Sequence, residues 1–120
     1  MTLNDVITRV DSLRPNGFTP EEKAEMVSRL DAEAVKDAEG IPASPLLYPQ
    51  DAEMELYIPF PFDDCYVLYV IAQIDLANAD MSLYPNDSGA FNARYTEWRA
   101  WQARHRPPRR MEWKGRYLRV

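Results

Sequence analysis

The chain has 120 residues, 46% hydrophobic and 28% charged, which fits one globular domain with a real core but no spacious active-site cleft. One cysteine, Cys65, excludes an intramolecular disulfide, and with one histidine, His105, a Cys/His zinc cluster cannot form. The net charge of −5 is unevenly divided: residues 101–120 hold seven basic residues against Glu112, or +6, leaving −11 on the first hundred. An acidic body with a basic tail implies that the tail meets something acidic, either nucleic acid or another copy of the body.

Leu3, Val6, Ile7, Val10 and Leu13 recur at helical spacing, with Thr2 or Asn4 as cap. Met1 to Asp5 shows no basic cluster before an apolar block, so no signal peptide is expected. Pro15-Asn16-Gly17 ends this helix, with glycine expected at the positive φ of a turn. Thr19-Pro20-Glu21-Glu22 has the form of a capping box. The helix it opens runs to about Gly40, apolar along Met26, Val27, Leu30, Ala34 and Val35. Lys23, Glu25, Arg29, Glu33 and Lys36 are assigned mostly to its wet side.

Pro42, Pro45, Pro49, Pro59 and Pro61 exclude a helix over 40–62. This connecting arm has room for one edge strand near Glu53–Pro59, with Asp51, Glu53 and Glu55 alternating along a solvated edge rather than forming a cation site. Asp63 or Asp64 caps the next helix at its positive end. From Cys65 to Ala77 the only polar residues besides tyrosines are Gln73 and Asp75, which at 100° per residue point about 160° apart. Such a helix lacks a wet face and belongs in a core or against another chain. Cys65 reads as a buried, inert thiol.

Asn78-Ala79-Asp80 predicts a turn, with Asp80 capping a short segment through Tyr84. Pro85 and Gly89 then argue against a straight continuous helix. Tyr84, Phe91, Tyr95 and Trp98 share one stripe, expected to pack on Tyr66, Tyr69 and Val70. Pro107-Pro108 ends the last helix, so a helical domain over 1–106 is followed by an extended basic tail over 107–120. The expected fold is mainly α, a bundle of about four helices. The predicted partner-contact residues are Arg106, Arg109, Arg110, Trp113, Lys114, Arg116, Tyr117 and Arg119, basic groups interleaved with aromatics.

Nothing points to an enzyme or a cofactor. There is no glycine-rich phosphate cradle, and His105 lies among arginines at a helix end rather than in a triad. The longest apolar run, Cys65 to Ala72, is well short of the ~20 residues that span a bilayer, so no membrane partner is expected.

Across the hairpin, Pro61-Phe62-Asp63, Val67-Leu68-Tyr69, Gln73-Ile74-Asp75-Leu76-Ala77-Asn78-Ala79-Asp80, Tyr84-Pro85-Asn86 and Phe91-Asn92-Ala93-Arg94-Tyr95 follow one another in fixed order. This order and spacing, over a third of the chain, resembles the head–tail connector (adaptor) proteins of long-tailed bacteriophages. Ala79 stands where that family favours glycine and Pro85 where it favours asparagine; the basic tail is not part of the pattern. The resemblance implies a helical subunit of the virion neck, assembled in the host cytoplasm. It implies a ring of twelve copies beneath the portal protein, docking a tail-side neck protein and extending the channel for dsDNA without sequence-specific binding. The competing expectation is a small regulatory module that holds nucleic acid through the tail, against which the −11 body argues.

Overall fold

The computed structural model describes residues 1–105. Among them are four α-helices: α1 (Leu3–Leu13), α2 (Pro20–Glu39), α3 (Asp64–Ala77) and α4 (Tyr84–Arg104). The mainly helical architecture read from the sequence is therefore present, while the extended tail lies outside the described residues.

Capping boxes start the first two helices. Thr2 Oγ1 accepts from the Asp5 amide at 3.1 Å and the Asp5 carboxylate from the Thr2 amide at 3.0 Å. Thr19 and Glu22 exchange the same pair at 3.1 and 2.8 Å. Each box satisfies amides that have no acceptor within the helix. Gly40, in the left-handed region at φ 72°, ends α2. Gly17 does not have positive φ. The 14–18 turn is held instead by Asn16, which donates to the Arg14 carbonyl at 3.0 Å and accepts from the Phe18 amide at 3.1 Å.

α3 is the middle of the core. It packs against each of the other helices, most extensively against α4. Its buried residues, from Cys65 and Tyr66 through Ile74 and Asp75, point in most directions around the axis. They meet Leu3, Val6 and Val10 of α1, Val27, Leu30 and Ala34 of α2, Leu56 and Ile58 of the arm, and Trp98 of α4. Burying each such large apolar side chain contributes about 1.5–3 kcal/mol. The absence of a wet face on α3 is thus largely accounted for within one chain.

The start of α3 differs from expectation. Neither Asp63 nor Asp64 makes a side-chain cap bond; Asp63, at the N-cap position, has helical dihedrals. Asp63 lies 3.6 Å from the Met1 amine and Asp64 accepts from Arg94 Nε at 2.8 Å, because nearby cations compete for both carboxylates.

α4 is also a correction. It runs unbroken for 21 residues through both expected breakers. Pro85 sits in the first turn, where its missing N–H is not needed, and Gly89 costs only about 1 kcal/mol in so long a helix. Asp80 holds the preceding turn, accepting from the Ser82 and Leu83 amides at 3.1 Å each. The stripe packs as expected on Tyr69, with Phe91 at 5.2 Å between ring centroids, then Tyr95 5.6 Å from Phe91 and Trp98 5.5 Å from Tyr95.

Residues 40–63 form no strand. The strand signal reduces to a single antiparallel bridge, Thr2 to Glu55, flanked by Leu3 N–H to Met54 C=O (3.2 Å) and Leu56 N–H to Met1 C=O (3.1 Å). The carboxylate alternation is lost with the strand. Asp51 accepts from the Leu47 amide at 2.8 Å and Glu55 binds the Met1 amine, leaving Glu53 exposed. Inside, the arm is pinned by Leu46 N–H to Ser28 Oγ (2.9 Å), Tyr57 N–H to Asp31 (2.9 Å) and Ile58 N–H to Tyr66 Oη (2.8 Å).

At the α3–α4 turn, Ala79 has φ 54°. A side chain in the left-handed region costs roughly 1–2 kcal/mol, offset in part by the greater unfolded-state freedom of glycine. Ala79→Gly is expected to stabilise the fold by about 0.5–1 kcal/mol, read as a raised urea midpoint at unchanged m-value. A lowered midpoint would mean that the turn carries no such strain.

Candidate functional site

All eight predicted partner-contact residues, Arg106, Arg109, Arg110, Trp113, Lys114, Arg116, Tyr117 and Arg119, lie outside the described residues. The charge they leave behind is sharper still. Residues 106–120 hold six basic residues against Glu112, so the described residues carry −10 within a total of −5. The site that can be built from the structure is the surface of the four-helix body.

One ion-pair cluster ties three helices together. Arg14, just past α1, donates through Nη1 to Asp75 of α3 and through Nη2 to Asp87 of α4 at 3.2 Å. Asp75 is 2% exposed. Burial, and then the neighbouring Asp87 carboxylate, raise its pKa above the ordinary value, while Arg14 works against both. The sequence marks Asp75 only as one of two polar residues on an apolar helix, and no reading of it singles out Arg14 as its partner. The signal was there: a lone carboxylate in such a helix requires a cation.

Lys23 is a second correction. Assigned to the wet side of α2, it is buried, and its Nζ reaches Asp11 at 2.6 Å and Asn16 Oδ1 at 3.1 Å. Burial pushes the Asp11 carboxyl up, but the hydrogen bonds from Lys23 and Asn16 outweigh it, and the net shift is downward. Cys65 is buried as expected, and burial, followed by the Asp64 charge, pushes its thiol up to about 12. Such a thiol is not a nucleophile at neutral pH. Tyr95 Oη donates to Asp37 at 2.6 Å, and burial first, then this bond, raise its pKa.

Two open grooves mark the surface. One, about 570 Å³, runs between α1 and α3 over Val67 and Leu68, with Asp5, Arg9 and Asp64 along it. The other, about 590 Å³, lies where α2, α3 and α4 meet and is walled by Tyr69, Phe91 and Tyr95. Neither gathers an acid, a base and a nucleophile. Among the described residues no cluster of His, Cys, Asp and Glu could hold a metal ion, and no helix is long and apolar enough to cross a membrane. His105 caps α4, its ring stacked on Trp101 at 4.9 Å.

Large apolar side chains are exposed at both ends of the α3–α4 hairpin. Leu76, Met81 and Leu83 surround its turn, while Phe60 and Trp101 stand at the opposite end, Trp101 against Phe62 at 5.7 Å. No protein-family model, curated protein or solved structure matches the chain.

Arg14→Met leaves Asp75 buried without its cation and is expected to cost about 3 kcal/mol at neutral pH. The folded-state pKa of Asp75 lies above its unfolded value and rises further in the variant. The native state therefore takes up a proton more readily than the unfolded chain. The deficit accordingly shrinks as pH falls from neutral toward the usual carboxylate range of about 4. Urea melts of both proteins across that window check it; a deficit independent of pH would show that Asp75 is not its source.

Proposed function

We propose that this chain is a structural subunit of a phage virion neck, a head–tail connector that assembles as a ring of twelve beneath the portal protein and extends the DNA channel toward the tail. The observation that carries the proposal is the ordered motif series of the hairpin. The structure places the motif residues at joints of the fold. Pro61-Phe62-Asp63 leads directly into α3, Asp75 takes the Arg14 ion pair, Tyr84-Pro85-Asn86 opens α4, and Phe91 and Tyr95 line its contact with α3 and α2. Ala79, where the connector pattern favours glycine, occupies the left-handed conformation that glycine accepts best.

The role is mechanical, with no turnover and no cofactor. A body of net −10 facing a channel would repel phosphates and let dsDNA slide. The basic tail would tie the ring to a neighbouring subunit or to the portal, with a tail-side neck protein docking below. Assembly would take place in the host cytoplasm.

The purified protein is expected to form rings, alone or when portal is added, with a mass given directly by light scattering coupled to gel filtration. A monomer under both conditions would remove the proposal's main support. Truncation after Arg106 separates it from the second reading, a nucleic-acid-binding module. Loss of assembly is expected for the connector, whereas loss of salt-dependent DNA binding with assembly unchanged would favour the module.

A further inference from the structure

We infer that Asn16-Gly17, in the turn between α1 and α2, is a modification site: a deamidating pair that the native fold holds shut, and whose product cannot rebuild the turn that shut it. The site is independent of the connector role.

In an open chain, the backbone nitrogen that follows an asparagine attacks the side-chain carbonyl carbon most readily when it belongs to glycine, whose missing Cβ leaves the approach clear. Gly17 gives up its amide proton to hydroxide, a bond forms from its nitrogen to Asn16 Cγ, and Nδ2 leaves as ammonia with a proton taken from water. Water then opens the cyclic imide at either carbonyl, giving aspartate or isoaspartate. In sum one water is consumed and one ammonia released, with no oxidant or reductant. Gly17 is exposed, and among the described residues no hydrogen bond holds its amide. Nor does the fold need glycine there, because its φ is not positive and a Cβ would have nothing within 4 Å. The nucleophile stands unrestrained.

What the fold restrains is the carboxamide. Nδ2 donates to Asp11 Oδ1 at 3.1 Å and to the Arg14 carbonyl at 3.0 Å. Oδ1 accepts from the Phe18 amide and from Lys23 Nζ, each at 3.1 Å. Two donors and two acceptor sites are all that an asparagine side chain has, so this one is saturated. Lys23, itself buried and bound to Asp11, ties the two halves of the set together. Bringing Cγ onto the Gly17 nitrogen moves the carboxamide out of the set, and Nδ2 cannot depart without giving up both acceptors. An aspartate at 16 keeps the acceptor half and loses the donor half. Its second oxygen would face Asp11 Oδ1 and the Arg14 carbonyl, oxygen against oxygen, with Lys23 left to serve two carboxylates. Isoaspartate lengthens the backbone by a methylene in the turn that joins α1 to α2. Chains that unfold are thus marked at 16 and refold less stably.

The test incubates the full chain in mildly alkaline buffer, native and in urea, and follows the tryptic peptide Val10–Lys23, which Pro15 keeps whole, by mass spectrometry. In urea residue 16 should convert to aspartate and isoaspartate; in the native protein it should do so at least about tenfold more slowly, the ratio that a single hydrogen bond can set. Equal rates would overturn the inference. Gly17→Ala in urea should convert severalfold more slowly than the parent, and an unchanged rate would overturn attack by that nitrogen. Lys23→Met removes one of the four bonds and leaves the half-exposed Asp11 in solvent, so the folded variant should deamidate faster than the folded parent. Tyr95→Phe drops the Asp37 bond about 20 Å away along α2 and is the control for general loosening, expected to match the parent. A Lys23→Met rate no faster than that of Tyr95→Phe would show that the bonds to Asn16 are not the restraint. Asn16→Asp, finally, should lower the urea midpoint at unchanged m-value. A midpoint equal to the parent's would overturn the incompatibility of the product with the turn.

Discussion

The fold depends on how a nearly all-apolar helix is surrounded. α3 must be covered on most sides, and a chain of this length does so with one helix on each of three flanks and an irregular arm over the rest. The one buried charge on that helix, Asp75, would be very costly there if unpaired. Arg14 meets it from the end of α1, and its second nitrogen reaches Asp87 at the start of α4. One guanidinium therefore closes the bundle at the turn end, holding three helices in register with a planar fork that lysine does not offer.

The opposite end is closed by different means. Asp31, buried on α2, accepts from the Tyr57 amide and the Tyr66 hydroxyl, and that hydroxyl in turn accepts from the Ile58 amide. Backbone groups of a proline-rich arm that cannot pair in a ladder are thus satisfied by side chains from α2 and α3. The start of α1 is strapped to the same arm through the Thr2–Glu55 bridge. An irregular segment can cross a buried surface only if its polar groups are answered in this way.

Such an arrangement spends its polar chemistry on architecture. Buried carboxylates, the buried lysine and the hydroxyls of Tyr57, Tyr66 and Tyr95 are engaged in joining elements, and the thiol is shielded. What remains at the surface is a strongly acidic body with apolar ends. These features are compatible with the mechanical role proposed for the chain.

Much of this was legible in the sequence because it is local. The capping box at Thr19, a cap at Thr2 or Asn4, the helix end near Gly40, the periodicity of α1 and α2 and the aromatic stripe of α4 all depend on residues within a few positions of one another, whereas the positive φ expected at Gly17 falls at Gly40 instead. The composition of α3 alone required that it be buried. The tertiary structure decided the rest. Arg14 and Asp75 are 61 residues apart, and no local rule pairs them. Lys23 lies buried because Asp11 and Asn16 come to it across a turn, and Asp63 and Asp64 do not cap α3 because Met1 and Arg94 reach them first. Pro85 and Gly89 proved harmless because the helix begins only at Tyr84 and has length to spare. Helices follow from neighbours in the chain. Which charges are buried, and against what, follows only from the way those helices meet.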